Sequence, residues 1–146
     1  MRVLFVCTGN TCRSPMAAAA FNHLASRADL PHVARSAGLA AFEGAPATEE
    51  ASLTVAERFG SGLEEHRAHR VTKADIEEAD VVFAMTRSHR DALCRLFPEF
   101  SARIRSMLPD RDVTDPIGSG RDAYAFTMDV LTDAVNLWLD GTAESC

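Results

Sequence analysis

Arg2-Val3-Leu4-Phe5-Val6-Cys7-Thr8-Gly9-Asn10-Thr11-Cys12-Arg13-Ser14-Pro15 decides how this chain folds. Its first half is an unbroken apolar run of strand type, the pattern of a strand buried on both faces at the centre of a parallel sheet. At its far end Ser14 is a natural N-cap and Pro15 a natural first helical residue, so a helix is predicted over about 15–28. A tight loop must join the two.

Working outward, 33–37 reads as a second short strand ending at Gly38, and a helix is predicted over about 48–59, stopped by Gly60 and Gly62. Thr72-Lys73-Ala74-Asp75 has capping-box form, with Asp in place of the usual Glu, and opens a short helix. Residues 80–85 read as a buried strand, Thr86 or Ser88 caps a helix ending before Pro98, and 104–108 is the last candidate strand. From 109 to 121 the composition turns to Asp, Pro, Gly and Ser, which predicts a long exposed loop. Asp122 is expected to cap a final helix whose apolar positions Tyr124, Met128, Leu131, Val135 and Trp138 form one face. Strands alternating with helices predict an α/β fold with a parallel sheet and ligands bound beyond the carboxyl ends of its strands. No repeat, low-complexity tract or linker interrupts residues 1–146, read as one domain.

The 146 residues, 47% of them hydrophobic, suffice for one continuous core. A formal net charge of −6 argues against nucleic acid and anionic membrane as partners. The apolar start, Val3 to Val6, is too short for a secretion signal, and no stretch reaches transmembrane length. Four cysteines, two in one loop and two far away at Cys94 and Cys146, do not form a secreted disulfide framework, so a reduced, cytoplasmic protein is expected. The expected metal content is none, since two thiols without a nearby histidine leave a coordination shell half empty.

The loop between strand and helix carries the chemistry. Cys7 and Arg13 stand at its two ends, and Thr8, Gly9, Asn10, Thr11, Cys12 and Ser14 complete a phosphate cradle of backbone N–H groups at a helix N-terminus. Gly9 and Asn10 both tolerate the left-handed backbone such a cradle needs. Arg13 offers a planar fork to two phosphate oxygens, and the same positive surroundings favour the nucleophilic thiolate of Cys7. That is the chemistry of a phosphatase working through a phosphocysteine intermediate. Ser14 is able to hydrogen-bond the Cys7 sulfur as well as cap the helix. No cofactor is expected, because thiolate, guanidinium and backbone donors supply the charge stabilisation.

These residues resemble the low-molecular-weight protein tyrosine phosphatases. The resemblance runs from Val3-Leu4-Phe5-Val6-Cys7 through Ser36-Ala37-Gly38 and Asp80-Val81-Val82-Phe83-Ala84-Met85-Thr86 to Asp115-Pro116. It implies a four-stranded parallel sheet flanked by helices, a two-step hydrolysis of phosphorylated protein side chains, and Asp115 as general acid. The competing reading of Asp115 is a plain Asp-Pro turn. The resemblance also places Asn10, Ser36 and His66 in a network that braces the phosphate loop; outside it, His66 reads as a surface histidine. Cys12 has two readings: a partner that traps oxidised Cys7 in a disulfide, or a small core residue under the first helix.

Thr11 stands where tyrosine-directed members of the family commonly carry an aliphatic residue, and in this it resembles the bacterial branch that dephosphorylates arginine. A hydroxyl over the leaving group can hydrogen-bond a guanidinium, whereas an isoleucine methyl would leave it unpaired. Asp115-Pro116-Ile117-Gly118 also lacks the aromatic residues that tyrosine-directed members often place there, leaving Ile117 as the wall on that side. Phe42 falls where those members have an aromatic wall, the alternative being a core or loop-anchoring residue. Phosphoarginine is therefore the favoured substrate and phosphotyrosine the alternative. An arsenate reductase would need two further cysteines near one another, and a non-catalytic phosphoprotein-binding module would not need the set Cys7, Arg13, Ser14 and Asp115. The oligomeric state is left open, with a monomer favoured.

Overall fold

The structure, a computed structural model, describes residues 1–145. The elements in chain order are β1 (Arg2–Cys7), α1 (Arg13–Arg27), β2 (Val33–Gly38), α2 (Glu49–Phe59), α3 (Lys73–Glu78), β3 (Val81–Ala84), α4 (Arg87–Leu96), a 3₁₀ helix (Pro98–Arg103), β4 (Ile104–Ser106) and α5 (Arg121–Ser145). All strand pairs are parallel, in the order β2-β1-β3-β4. The apolar run of β1 is thereby explained, since an inner strand of a parallel sheet has helices on both faces.

Side chains of β1 alternate between two apolar layers. Val3 and Phe5 face α1 and α5, where they meet Met16, Ala17, Phe21, Met128 and Leu131. Leu4 and Val6 face the opposite side and pack with Ile76 and Leu93 from α3 and α4. Phe5 is stacked on Phe83 at 5.7 Å and meets the edge of Phe21 at 5.9 Å, so truncating it to Ala should cost about 3–5 kcal/mol. Cys7 emerges at the carboxyl end of β1, between Gly38 at the end of β2 and the segment after β3. Gly38 is required by close approach: a Cβ there would lie 2.6 Å from the Thr8 carbonyl oxygen.

Local signals in the sequence place most boundaries. Thr48 caps α2 by accepting from Ala51 N–H, and Gly60 ends it with φ of 92°. Both arms of the capping box at Thr72 and Asp75 are present. Of the two candidates for α4, Thr86 is the cap, accepting from His89 N–H. Other expectations are corrected. Helix α1 starts at Arg13, two residues before Pro15, with Cys12 in the cap position and no side-chain cap bond; Ser14 is inside the helix and its hydroxyl is used elsewhere. Helix α5 starts at Arg121, so Asp122 lies in its first turn, where it complements the helix dipole. Strands β3 and β4 are shorter than the runs 80–85 and 104–108, and the 3₁₀ helix started by Pro98 was not foreseen. Trp138 is half-buried, closing the α5 face against Phe21 and Phe83. Among the described residues no helix is long and apolar enough to cross a membrane.

Candidate active site

The loop from Cys7 to Ser14 lies beyond the carboxyl end of β1 and feeds directly into α1. Cys7 is buried, with Ser14 Oγ 2.9 Å from its sulfur and Asn10 N–H donating to it at 3.3 Å. Ser14 Oγ accepts from Asn10 Nδ2 at 2.8 Å, which leaves its own proton for the sulfur or for the Ala37 carbonyl at 3.4 Å. The sulfur is nearer. Two donors therefore converge on Cys7 Sγ, an arrangement that suits a thiolate and a departing thiolate equally.

Asn10 is the keystone of the loop. Its φ of 57° is left-handed, a conformation that Asn tolerates because its short side chain bonds locally. Gly9, which also tolerates that conformation, does not have a positive φ. Beyond the bonds to Cys7 and Ser14, the side-chain oxygen of Asn10 accepts from His69 N–H at 2.9 Å. Its carbonyl accepts from His66 Nε2 at 2.7 Å. Thr11 is tied at its carbonyl by Thr48 N–H at 2.9 Å, and Thr48 Oγ1 donates to Tyr124 OH at 3.2 Å. Burial pushes the Tyr124 hydroxyl above its ordinary pKa, so it stays a neutral hydrogen-bonding group.

Arg13 is almost wholly buried and reaches across to the segment after β4. Nη1 donates to the Val113 carbonyl at 3.0 Å, and Nη2 is 3.7 Å from Asp115 Oδ2. Its Nε is buried with no partner among the described residues, a donor left available to an anion. Asp115 Oδ1 accepts from Ile117 N–H at 3.1 Å and from the Cys12 thiol at 3.7 Å. The Cys12 thiol is pushed up to about 12 by burial first, then by the charges of Cys7 and Asp115. It remains protonated near neutral pH and does not compete as a nucleophile.

A buried cysteine with two donors, an arginine with a free N–H and a carboxylate across the cradle make a site for phosphoryl transfer. Residues 2–145 match the low molecular weight phosphotyrosine protein phosphatase family. The chain belongs to that family. This low-molecular-weight phosphatase is 38% identical over 142 residues to a protein-arginine-phosphatase of Geobacillus stearothermophilus, covering 92% of this chain and 91% of that one. It is 34% identical over 144 residues to the probable low molecular weight protein-tyrosine-phosphatase AmsI of Erwinia amylovora, covering 94% of each. A solved low molecular weight protein tyrosine phosphatase from T. tengcongensis superposes with a TM-score of 0.93 at 37% identity, covering 97% of this chain and 99% of that one. The enzyme is thus a protein phosphatase whose relatives act on either arginine or tyrosine.

Within this phosphatase the structure brings Cys7, Asn10, Cys12, Arg13, Ser14, His66 and Asp115 together. Ser36 is set apart: it pairs with Phe5 inside the sheet, and its hydroxyl has no partner in the loop, the contact from that strand coming instead from the carbonyl of Ala37. Phe42 is 85% exposed, which excludes the core reading, and Ile117 is 53% exposed. The Thr11 hydroxyl lies on the Gly9 side of the loop, 3.6 Å from where a Gly9 Cβ would be. Cys7, Cys12 and Cys94 are free thiols; Cys146 lies outside the described residues. Sequence reasoning missed His69, which supports Asn10, and His89, whose Nε2 is 2.7 Å from Thr8 Oγ1. Neither has a local signal, because each acts across a long loop of chain.

Proposed function

We propose that this phosphatase hydrolyses phosphoarginine in proteins through a phosphocysteine on Cys7. The sulfur attacks phosphorus while Arg13 and the loop N–H groups hold the phosphate oxygens. Asp115 gives its proton to the departing guanidine nitrogen as the phosphorus–nitrogen bond breaks. In the second step the Asp115 carboxylate takes a proton from water, the water oxygen bonds phosphorus, and the sulfur–phosphorus bond breaks. Ser14 donates to the released thiolate, and inorganic phosphate leaves. Substrates are phosphorylated proteins, met by a single domain in a reducing compartment.

The observation that carries the arginine reading is the Thr11 hydroxyl, which has no hydrogen bond among the described residues and lies on the Gly9 side of the loop, 3.6 Å from where a Gly9 Cβ would be. A hydroxyl there can accept from a guanidinium N–H, a donor that an aryl leaving group does not have. The likeness to the Geobacillus protein-arginine-phosphatase fits the same choice, while a relative named as a probable tyrosine phosphatase stands at similar identity. Phe42 favours the second reading, phosphotyrosine, since an exposed ring offers a stacking face to a phenyl group. Paired kcat/KM measurements on phosphoarginine and phosphotyrosine peptides test this. Wild type should prefer phosphoarginine, and Thr11→Ile should shift the ratio toward phosphotyrosine by about 10-fold or more. A wild-type preference for phosphotyrosine that Thr11→Ile leaves unchanged overturns the arginine reading.

A further inference from the structure

We propose that His89 is a positioning residue for catalysis: it fixes Thr8, the residue directly after the nucleophile, through an Nε2–H···Oγ1 bond. His89 lies in the first turn of α4, 8% exposed, and its own backbone N–H is held by the cap hydroxyl of Thr86 at 3.0 Å. Its ring reaches the phosphate loop across 2.7 Å. The other ring nitrogen, Nδ1, is buried with no partner among the described residues. A buried lone pair without a partner costs less than a buried N–H without one, so the proton belongs on Nε2 and the imidazole is the donor.

The remaining contacts of Thr8 show what that bond achieves. Its carbonyl accepts from Ala40 N–H at 2.9 Å, above a Gly38 that leaves no room for a side chain. Thr8 is therefore pinned by its carbonyl on the β2 side and by its hydroxyl on the α4 side, and the backbone between Cys7 and Asn10 has little freedom to turn. A fixed cradle stabilises the transition state without reorganising during the reaction. The same turn also holds the acid segment, since Arg87 N–H donates to Asp112 Oδ1 at 2.8 Å and Val113 N–H donates to the Met85 carbonyl at 2.9 Å. One turn of chain between β3 and α4 thus sets the loop that holds phosphate and the segment that delivers Asp115 relative to each other. Arg13, Asp112 and Asp115 are the charges around the ring; burial first, then Arg13, hold His89 below its ordinary pKa, which keeps it the neutral donor this geometry needs.

The inference rests on Cys7 as nucleophile, and loss of turnover in Cys7→Ser establishes that separately. The test is a double-mutant cycle on an aryl phosphate with Thr8→Val, His89→Leu and the two combined, together with His89→Gln, whose amide donates near the position of Nε2. Each single variant should lower kcat by about 10-fold, with KM and inhibition by inorganic phosphate within about threefold. The double variant should be no slower than the slower single, and His89→Gln should recover at least half of kcat. Multiplicative losses, or wild-type kcat in folded His89→Leu, overturn the proposal. Should His89→Leu not fold, Thr8→Val decides: wild-type kcat there overturns it, whereas a loss matched by recovery in His89→Gln sustains it.

Discussion

Asn10 and Asp115 face the same cradle from opposite sides and are held in opposite ways. Asn10 is 0% exposed, and the hydrogen-bonding groups of its side chain and backbone are engaged by Cys7, Ser14, His66 and His69. The Asp115 side chain is 48% exposed and is tethered by the Ile117 N–H, the Cys12 thiol and an ion pair of 3.7 Å to Arg13. The difference matches the two tasks. A group that stabilises charge on phosphate works best when it does not move. In the proposed mechanism Asp115 protonates the leaving group and then deprotonates water, so it must exchange partners with solvent between steps, and a saturated, buried carboxylate could not. Rigidity on one side and few tethers on the other belong to one mechanism.

The contrast breaks first at Asp115. Asp115→Asn should lower kcat on a substrate with a poor leaving group by about 1,000-fold while shifting stability by under about 0.5 kcal/mol. Steady-state kinetics and a thermal melt check this, and turnover within threefold of wild type would remove Asp115 as the acid. Asn10→Ala should behave in the reverse sense. It strands the buried groups that Asn10 now satisfies and puts Ala in a left-handed backbone, so about 3 kcal/mol of stability, roughly 10 °C in Tm, should be lost along with activity. A melt matching wild type would show that the loop is not braced through this residue.

Smaller changes sharpen the comparison along the brace itself. His66→Ala removes one donor to the Asn10 carbonyl and should lower kcat by about tenfold with the fold intact. Unchanged turnover would take His66 out of the brace. His69 should produce the least effect, with a pH signature in stability. Burial alone would lower its pKa, but the hydrogen bond to Asp75, followed by the charges of Asp75 and Glu43, outweighs burial and holds it above the ordinary histidine value. A raised value in the fold contributes stability that is complete below the unfolded pKa and is lost as pH rises through the folded one. His69→Gln should therefore flatten the fall in Tm on going from slightly acidic to slightly alkaline buffer, with a total effect under about 1 kcal/mol because the group is partly exposed. A profile as steep as that of wild type would mean that the His69 charge does not support the segment.

Much of this was legible residue by residue. Period and caps placed all four strands and the five α-helices to within a few positions, because an apolar run, a Thr hydroxyl and a Gly act over a single turn of chain. The misread starts are local: Ser14 is a good cap by type, but its hydroxyl is taken by Asn10 and Cys7 and the helix begins at Arg13, while α5 begins at Arg121, with Tyr124 N–H bonded to the Gly120 carbonyl ahead of Asp122. Ser36 was assigned to the brace and lies inside the sheet, where the neighbouring carbonyl of Ala37 meets Ser14 instead. That contact is made by main chain at the end of β2, and a residue's type does not tell where its backbone carbonyl lies relative to a loop distant in sequence.

The sequence by itself determined the α/β fold and the loop that carries Cys7, the proposed nucleophile, since each is written in contiguous residues whose chemistry does not depend on what lies elsewhere. Only the tertiary structure decided which distant groups complete the site. His66 and His69 reach Asn10, Tyr124 reaches Thr48, and His89 reaches Thr8 across 81 positions of chain. A hydrogen bond depends on distance and angle in space, and those are set when the parallel sheet brings the carboxyl ends of its strands together at one edge.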